Sequence, residues 1–274
     1  MPASIVPVAV GCAAARPAPT LWGNLALCGV VALALQVGTN YANDYADGVR
    51  GTDERRVGPI RLTASGLATP SAVRTASLFA FGVAGGAGLW LAYLTSWWLL
   101  AVGAAAIAAG WGYTGGPRPY GYAGLGEPFV FVFFGLVATA GTTYCLTMHV
   151  TALSLIAGAA MGLLACALLE ANNLRDIHGD ALAAKRTVAV RLGRRRAGGL
   201  YVALIASAFA VAVSCAAWRV GALAVLAAVP LAVAPVRCVR GEAEGPALLP
   251  VLAGTARLQL IAGLLLAVGL WVSA

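Results

Sequence analysis

Leu25-Ala26-Leu27-Cys28-Gly29-Val30-Val31-Ala32-Leu33-Ala34-Leu35-Gln36-Val37-Gly38-Thr39-Asn40-Tyr41-Ala42-Asn43-Asp44-Tyr45-Ala46-Asp47 is an apolar run that ends in amides and carboxylates. About 20 apolar residues suffice to cross a bilayer as a helix, so a segment from 20 to 47 reads as a membrane span. At 100° per residue, Gln36, Asn40, Asn43, Asp44 and Asp47 share an arc of about 100°. One helix face therefore carries the polar groups to the end of the span, and that face must look at something charged.

A second stretch answers it about 130 residues later: Asn172-Asn173-Leu174-Arg175-Asp176-Ile177-His178-Gly179-Asp180, followed by Lys185-Arg186-Thr187. The same arithmetic puts Asn172, Asn173, Asp176 and Asp180 on one face. Carboxylates this close repel unless a cation sits between them, and hard oxygen ligands suit Mg²⁺, which often shares itself with a substrate phosphate. Acids at a helix C-terminus also oppose the macrodipole, so ordinary capping does not explain Asp44, Asp47, Asp176 and Asp180. The two stretches read as two halves of one metal and diphosphate site.

Composition agrees with the membrane reading. The 274 residues are 61% hydrophobic and 10% charged, where soluble domains carry roughly 25% charge. Lipid-exposed backbone must satisfy itself, and strand-like alternation is absent, so an all-α polytopic bundle is expected. Spans are expected near 20–47, 71–94, 96–113, 126–147, 150–175, 198–217, 219–236 and 250–272, with a short apolar segment at 2–14 making nine in a single domain over 1–274. No basic region precedes 2–14, so it is not a signal peptide; its shortness suggests a clipped first helix and a natural start upstream.

With a cytoplasmic N-terminus, the loops near 48–70, 114–125, 177–197 and 237–249 face the cytoplasm. Of 18 Lys+Arg only Arg16 and Arg219 then fall outside, which satisfies the positive-inside rule. The acidic residues, unused in that assignment, map to the same side. This one-sidedness argues against a cation-coupled transporter, which needs ionisable groups near the midplane. It suits an enzyme that takes a hydrocarbon tail from the bilayer and a polar head from the cytoplasm. The net charge of +8 follows from topology, and no basic domain points to a nucleic-acid partner. The six cysteines form no CxxC pair and read as reduced packing residues.

Arg50, Arg56, Arg61, Arg175, Lys185 and Arg186 flank the two motifs, and guanidinium matches phosphate oxygens bidentately. Arg194, Arg195 and Arg196 are accounted for by topology alone. The loop Tyr113-Thr114-Gly115-Gly116-Pro117-Arg118-Pro119-Tyr120-Gly121-Tyr122 reads either as a tight connector with interfacial aromatics or as a wall for an aromatic, anionic substrate. His149 and His178 stand alone.

Together Asn43-Asp44-x2-Asp47-x5-Asp53, Arg56-x-Gly58-Pro59-x-Arg61, Tyr113-Thr114-Gly115-Gly116-Pro117 and Asn172-Asn173-x-Arg175-Asp176-x3-Asp180-x4-Lys185-Arg186-Thr187 resemble the UbiA superfamily of intramembrane prenyltransferases. Within it they are similar to the 1,4-dihydroxy-2-naphthoate polyprenyltransferases of menaquinone biosynthesis. The superfamily's general first motif would place its last Asp at position 51, which is Gly51 here, with Asp53 two residues on. The Arg-Pro-x-Thr-Leu segment usual at the start of the first helix is missing. The resemblance implies Mg²⁺ held by Asp44, Asp47, Asp176 and Asp180, with Asn43, Asp53 and Asn172 in the catalytic set. It further implies a polyprenyl diphosphate donor, a dihydroxynaphthoate acceptor met by Asn40, Tyr113, Arg118, Tyr120 and Tyr122, and decarboxylation to demethylmenaquinol. A CDP-alcohol phosphotransferase, whose opening Asp44-x2-Asp47-Gly48-x-Arg50 mimics, needs its second acidic pair within the same short stretch.

Overall fold

The computed structural model describes residues 2–16, 18, 21–52, 58, 60–241 and 243–274. Among them there are helices and turns but no strand. Besides the short helices Tyr120–Ala123 and Val188–Leu192, the helices are α1 (Pro2–Ala15), α2 (Trp22–Arg50), α3 (Pro70–Leu94), α4 (Leu99–Gly112), α5 (Gly126–Thr147), α6 (Ala152–Leu182), α7 (Arg194–Ala217), α8 (Val220–Arg240) and α9 (Gly245–Val272). Seven of these are long and apolar enough to cross a membrane; α1 and α4, at 14 residues each, are the shorter apolar pair. At 1.5 Å per residue each of those two spans about 21 Å, less than a hydrocarbon core of roughly 30 Å. Seven full-length spans plus two short helices thus stand where nine spans were expected.

The ends of the elements follow local chemistry. The Thr69 hydroxyl caps α3, with Pro70 opening the helix. Thr151 and Ser154 exchange side-chain and backbone bonds in a capping box at α6, a reciprocal arrangement that satisfies two otherwise orphaned N–H groups. Gly51, at φ 73°, closes α2, in the left-handed region where a side chain is disfavoured.

The most buried long helix is α6, whose Ala157, Ala160, Met161, Ala167 and Leu174 are sealed in the main core. Short α1 lies beside it, with Val6 and Val10 equally enclosed, and touches α2, α5, α6 and α9. Small residues set the closest approach. A Cβ on Gly135 of α5 would stand 2.5 Å from the Gly162 Cα and 2.6 Å from the Gly158 carbonyl oxygen of α6. Helix backbones in lipid gain contact where such residues let them meet. Here α5 widens into a π-helical turn over Phe131–Val137, the kind of insertion that re-aims side chains.

Polar cross-links hold the bundle where lipid offers no alternative partner. Asn24 donates to the Cys145 carbonyl at 2.8 Å, Ser77 to the Gly38 carbonyl at 2.8 Å, and Thr143 to the Gly11 carbonyl at 2.8 Å. All six cysteines are free thiols.

Candidate active site

Both α2 and α6 continue as helix well beyond their apolar portions, ending at Arg50 and Leu182. Their polar ends meet at one chamber of about 690 Å³, lined from α2 by Asn40, Asn43 and Asp47 and from α6 by Asn172, Asn173, Arg175, Asp176 and Asp180. Arg61, Tyr113 and Lys185 add to the wall, and His178 reaches it from α6. Two motifs far apart in sequence are therefore brought to one place because α2 and α6 reach the chamber with their C-terminal ends.

The four motif aspartates have different neighbours. Asp44 is 5% exposed and does not line the chamber. Its two oxygens accept the backbone N–H groups of Leu62 and Thr63 at 2.9 Å each, tying the 61–66 turn to α2. Asp47 accepts the Tyr122 hydroxyl at 2.9 Å and lies 3.8 Å from the Lys185 ammonium, which is 3.7 Å from Asp180. Asp176 takes the Arg175 guanidinium on both oxygens, at 2.7 and 2.6 Å.

The basic residues divide in a similar way. Arg61, Arg175 and Lys185 face the chamber. Arg50 instead donates to the carbonyls of Thr114 and Gly116 and lies over the Tyr122 ring. Arg118 and Arg186 are exposed and line neither cavity; the Arg186 backbone N–H is bonded to the Tyr122 carbonyl. Asp53 and Arg56 lie outside the described residues.

Beyond the chamber lies a second cavity of about 490 Å³, walled mainly by apolar side chains of α2, α4 and α5. Asn40, Asn43, Tyr113 and Leu169 line both spaces and form the neck between them. From the neck an aromatic ladder leads into the apolar cavity. Tyr113 meets Tyr120 edge-on at 5.5 Å, Tyr120 stacks on Phe129 at 4.0 Å, and Phe129 on Phe133 at 6.2 Å. Burial pushes the Tyr113 phenol up, with the charges of Glu127 and Asp180 adding to it, and burial does the same to Tyr120. The Tyr122 phenol is pushed up to about 12, first by burial, with the Thr52 hydrogen bond opposing and the Asp47 charge adding to it. All three remain hydrogen-bond donors at neutral pH.

Three contacts have no counterpart in the sequence reading. The Thr114 hydroxyl donates to Asn43 at 2.8 Å, fixing that amide. The Asn173 amide donates to Glu127 at 3.0 Å, and fully buried Glu170 sits beside Glu127. Acids set in apolar helices are a functional signal in themselves, and that signal could have drawn attention to the Glu127 and Glu170 pair. Thr114 offered none.

The donor chemistry fits a hard divalent cation: carboxylate and amide oxygens from both helix ends surround one chamber, and a side-chain ammonium already stands between two of the carboxylates. Among the described residues no three acidic or metal-ligating side chains converge tightly enough to form a ready-made site.

The sequence profile of the UbiA prenyltransferase family matches residues 4–247. The 1,4-dihydroxy-2-naphthoate octaprenyltransferase of Mycobacterium tuberculosis is 47% identical over 262 residues, covering 95% of this chain and 90% of the relative. Among solved structures, the apo UbiA homolog from Aeropyrum pernix K1 has a TM-score of 0.74 over 99% of this chain and 97% of its own, at 15% identity. A UbiA homolog from Archaeoglobus fulgidus bound to GPP and Mg²⁺ has a TM-score of 0.65 over 97% and 95%, at 13% identity.

Proposed function

Because this chain belongs to the UbiA prenyltransferase family and is an integral membrane prenyltransferase, we propose that it transfers a polyprenyl chain to 1,4-dihydroxy-2-naphthoate with loss of CO₂, as a step of menaquinone biosynthesis. The observation that carries this reading is the joined pair of cavities: a polar chamber with acids and bases, opening through the Tyr113 neck into an apolar cavity. An amphipathic donor needs those two environments end to end. The naphthoate acceptor comes from the 47% identical relative.

In this reading the diphosphate lies in the chamber, met by Arg61, Arg175 and Lys185, and the tail lies in the apolar cavity. Asp47, Asp176 and Asp180, with Asn43 and Asn172, would hold Mg²⁺, while Asp44 anchors the neighbouring turn. Bound there, Mg²⁺ would neutralise the diphosphate as charge develops on it. The allylic carbon then sits at the neck. Its C–O bond breaks with the electron pair leaving on the diphosphate, and the ladder of Tyr113, Tyr120 and Phe129 faces the cation with aromatic quadrupoles. The ring carbon bearing the carboxylate attacks, and the C–COO⁻ bond breaks, returning its pair to the ring as CO₂ departs. No net proton is exchanged. The Tyr113 hydroxyl donates to the acceptor's oxygens at the neck. In this reading the chamber faces the cytoplasm, which the excess of Lys and Arg in the loops on that side supports.

The test is prenyl transfer in membranes containing this chain, supplied with labelled polyprenyl diphosphate, Mg²⁺ and either dihydroxynaphthoate or 4-hydroxybenzoate. Demethylmenaquinone is expected from the naphthoate alone, and from neither Asp47→Ala nor Asp176→Ala. Product from hydroxybenzoate instead would keep the transfer chemistry and overturn the acceptor.

A further inference from the structure

Every motif aspartate in the described structure already has an internal partner. Asp44 has two backbone N–H groups, Asp176 has Arg175, and Asp47 shares Lys185 with Asp180. Lys185 reaches from one motif to the other. Its ammonium is 3.8 Å from Asp47 and 3.7 Å from Asp180, beyond the usual N–H···O length on both sides. It is therefore held between two charges rather than bonded to either.

The chain is built to put it there. The backbone turns back over the end of α6 through Ala184, a non-glycine residue at φ 55°, and the Lys185 N–H closes onto the Asp180 carbonyl at 2.8 Å. A left-handed alanine is disfavoured by its Cβ, so the return of Lys185 is upheld against local preference. Tyr122 supports it from the other side, with its hydroxyl on Asp47 and its ring 5.2 Å from the ammonium. Only 14% of the Lys185 side chain is exposed.

We propose that Lys185 is a positioning residue that occupies the divalent cation's place between Asp47 and Asp180 and moves onto the diphosphate when the cation enters, making the two ligands bind cooperatively. This rests on the metal and diphosphate reading of the chamber. A divalent cation placed beside Asp47 and Asp180 meets the positive charge of Lys185 and is opposed until that charge has another anion. The diphosphate supplies one within reach of the same flexible stem. The converse follows by linkage: diphosphate alone must draw Lys185 away from the charges of Asp47 and Asp180, so each ligand raises the affinity of the other by the same factor.

The experiment uses the purified full chain in detergent, Mn²⁺ as a spectroscopically visible divalent ion, and inorganic pyrophosphate. For wild type, Mn²⁺ alone binds weakly and pyrophosphate tightens it roughly tenfold, a typical coupling between two sites. Lys185→Gln changes the pattern: Mn²⁺ alone binds more tightly than to wild type, and the enhancement by pyrophosphate shrinks to what direct contact of the ion with phosphate oxygens provides. Lys185→Arg, which keeps the charge, retains wild-type coupling, and melting of each variant without metal confirms that it is folded. A lysine that served the diphosphate alone, away from Asp47 and Asp180, would leave Mn²⁺ binding without pyrophosphate unchanged when removed. Mn²⁺ binding by Lys185→Gln that is equal to or weaker than wild type overturns the proposal, as does a wild type that binds Mn²⁺ under neither condition. The acceptor is decided separately by the membrane transfer assay, which can fail while the coupling stands.

Discussion

Replacing Asp44 separates the anchoring of a turn from the holding of a cation, two roles that its motif alone would merge. Its carboxylate accepts two backbone N–H groups at 2.9 Å from Leu62 and Thr63, in a site where it is 5% exposed. A hydrogen bond to a charged group contributes about 1.5–3 kcal/mol, and water reaches the partly exposed turn to recover some of that, so Asp44→Ala should cost about 2–4 kcal/mol. Asp44→Asn should lose at least half as much, because the amide offers one acceptor and turns a donor toward the other N–H. Asp47→Asn should melt close to wild type, since its partners Tyr122 and Lys185 keep other contacts, yet abolish Mn²⁺ and pyrophosphate binding. Tryptophan-monitored melting in detergent, paired with Mn²⁺ titration, reads both quantities on each variant. An Asp44→Asn protein that melts with wild type while losing the metal as Asp47→Asn does would refute the anchoring argument.

Other substitutions probe the packing, the neck and the cavity. Gly135→Ala forces a Cβ against the Gly162 backbone at 2.5 Å and should destabilise by more than about 2 kcal/mol, the upper part of the overpacking range; Gly82→Ala, with nothing within 4 Å, is the control in the same melting assay. Burial pushes the Tyr122 phenol up to about 12 in the fold, from about 10 for a free phenol. Its contribution to stability is therefore complete below about pH 10 and is lost as pH rises toward about 12. Melting from pH 8 to 12 should show that loss, and Tyr122→Phe should lessen it. Gly141 lines the apolar cavity and has open space around its Cα, so Gly141→Trp should fill part of the cavity without a clash. In the transfer assay, long polyprenyl donors should fall and geranyl diphosphate should be retained; equal loss of both would place the tail elsewhere.

The helices were legible because lipid leaves a chain few choices. Apolar length marks a span, and each expected segment from 20–47 to 250–272 has a helix over most of its length. The pairing of the two Asn-x3-Asp ends was legible as well, since clustered carboxylates on one helix face require a countercharge and the second motif offered the matching half. What each polar side chain touches was decided by tertiary structure. Periodicity places Asp44 and Asp47 on the same face, but it cannot say that the 61–66 turn would fold back and cover one of them. Nor could spacing show that Arg50 would hold the 114–116 loop while Arg61 reached the chamber. Helical periodicity fixes angles to within tens of degrees and the membrane fixes depth, whereas a hydrogen bond is set within tenths of an ångström by the packing of segments distant in sequence. For that reason the class of chemistry could be read from the chain, and the placement of Lys185 between Asp47 and Asp180 only from the fold.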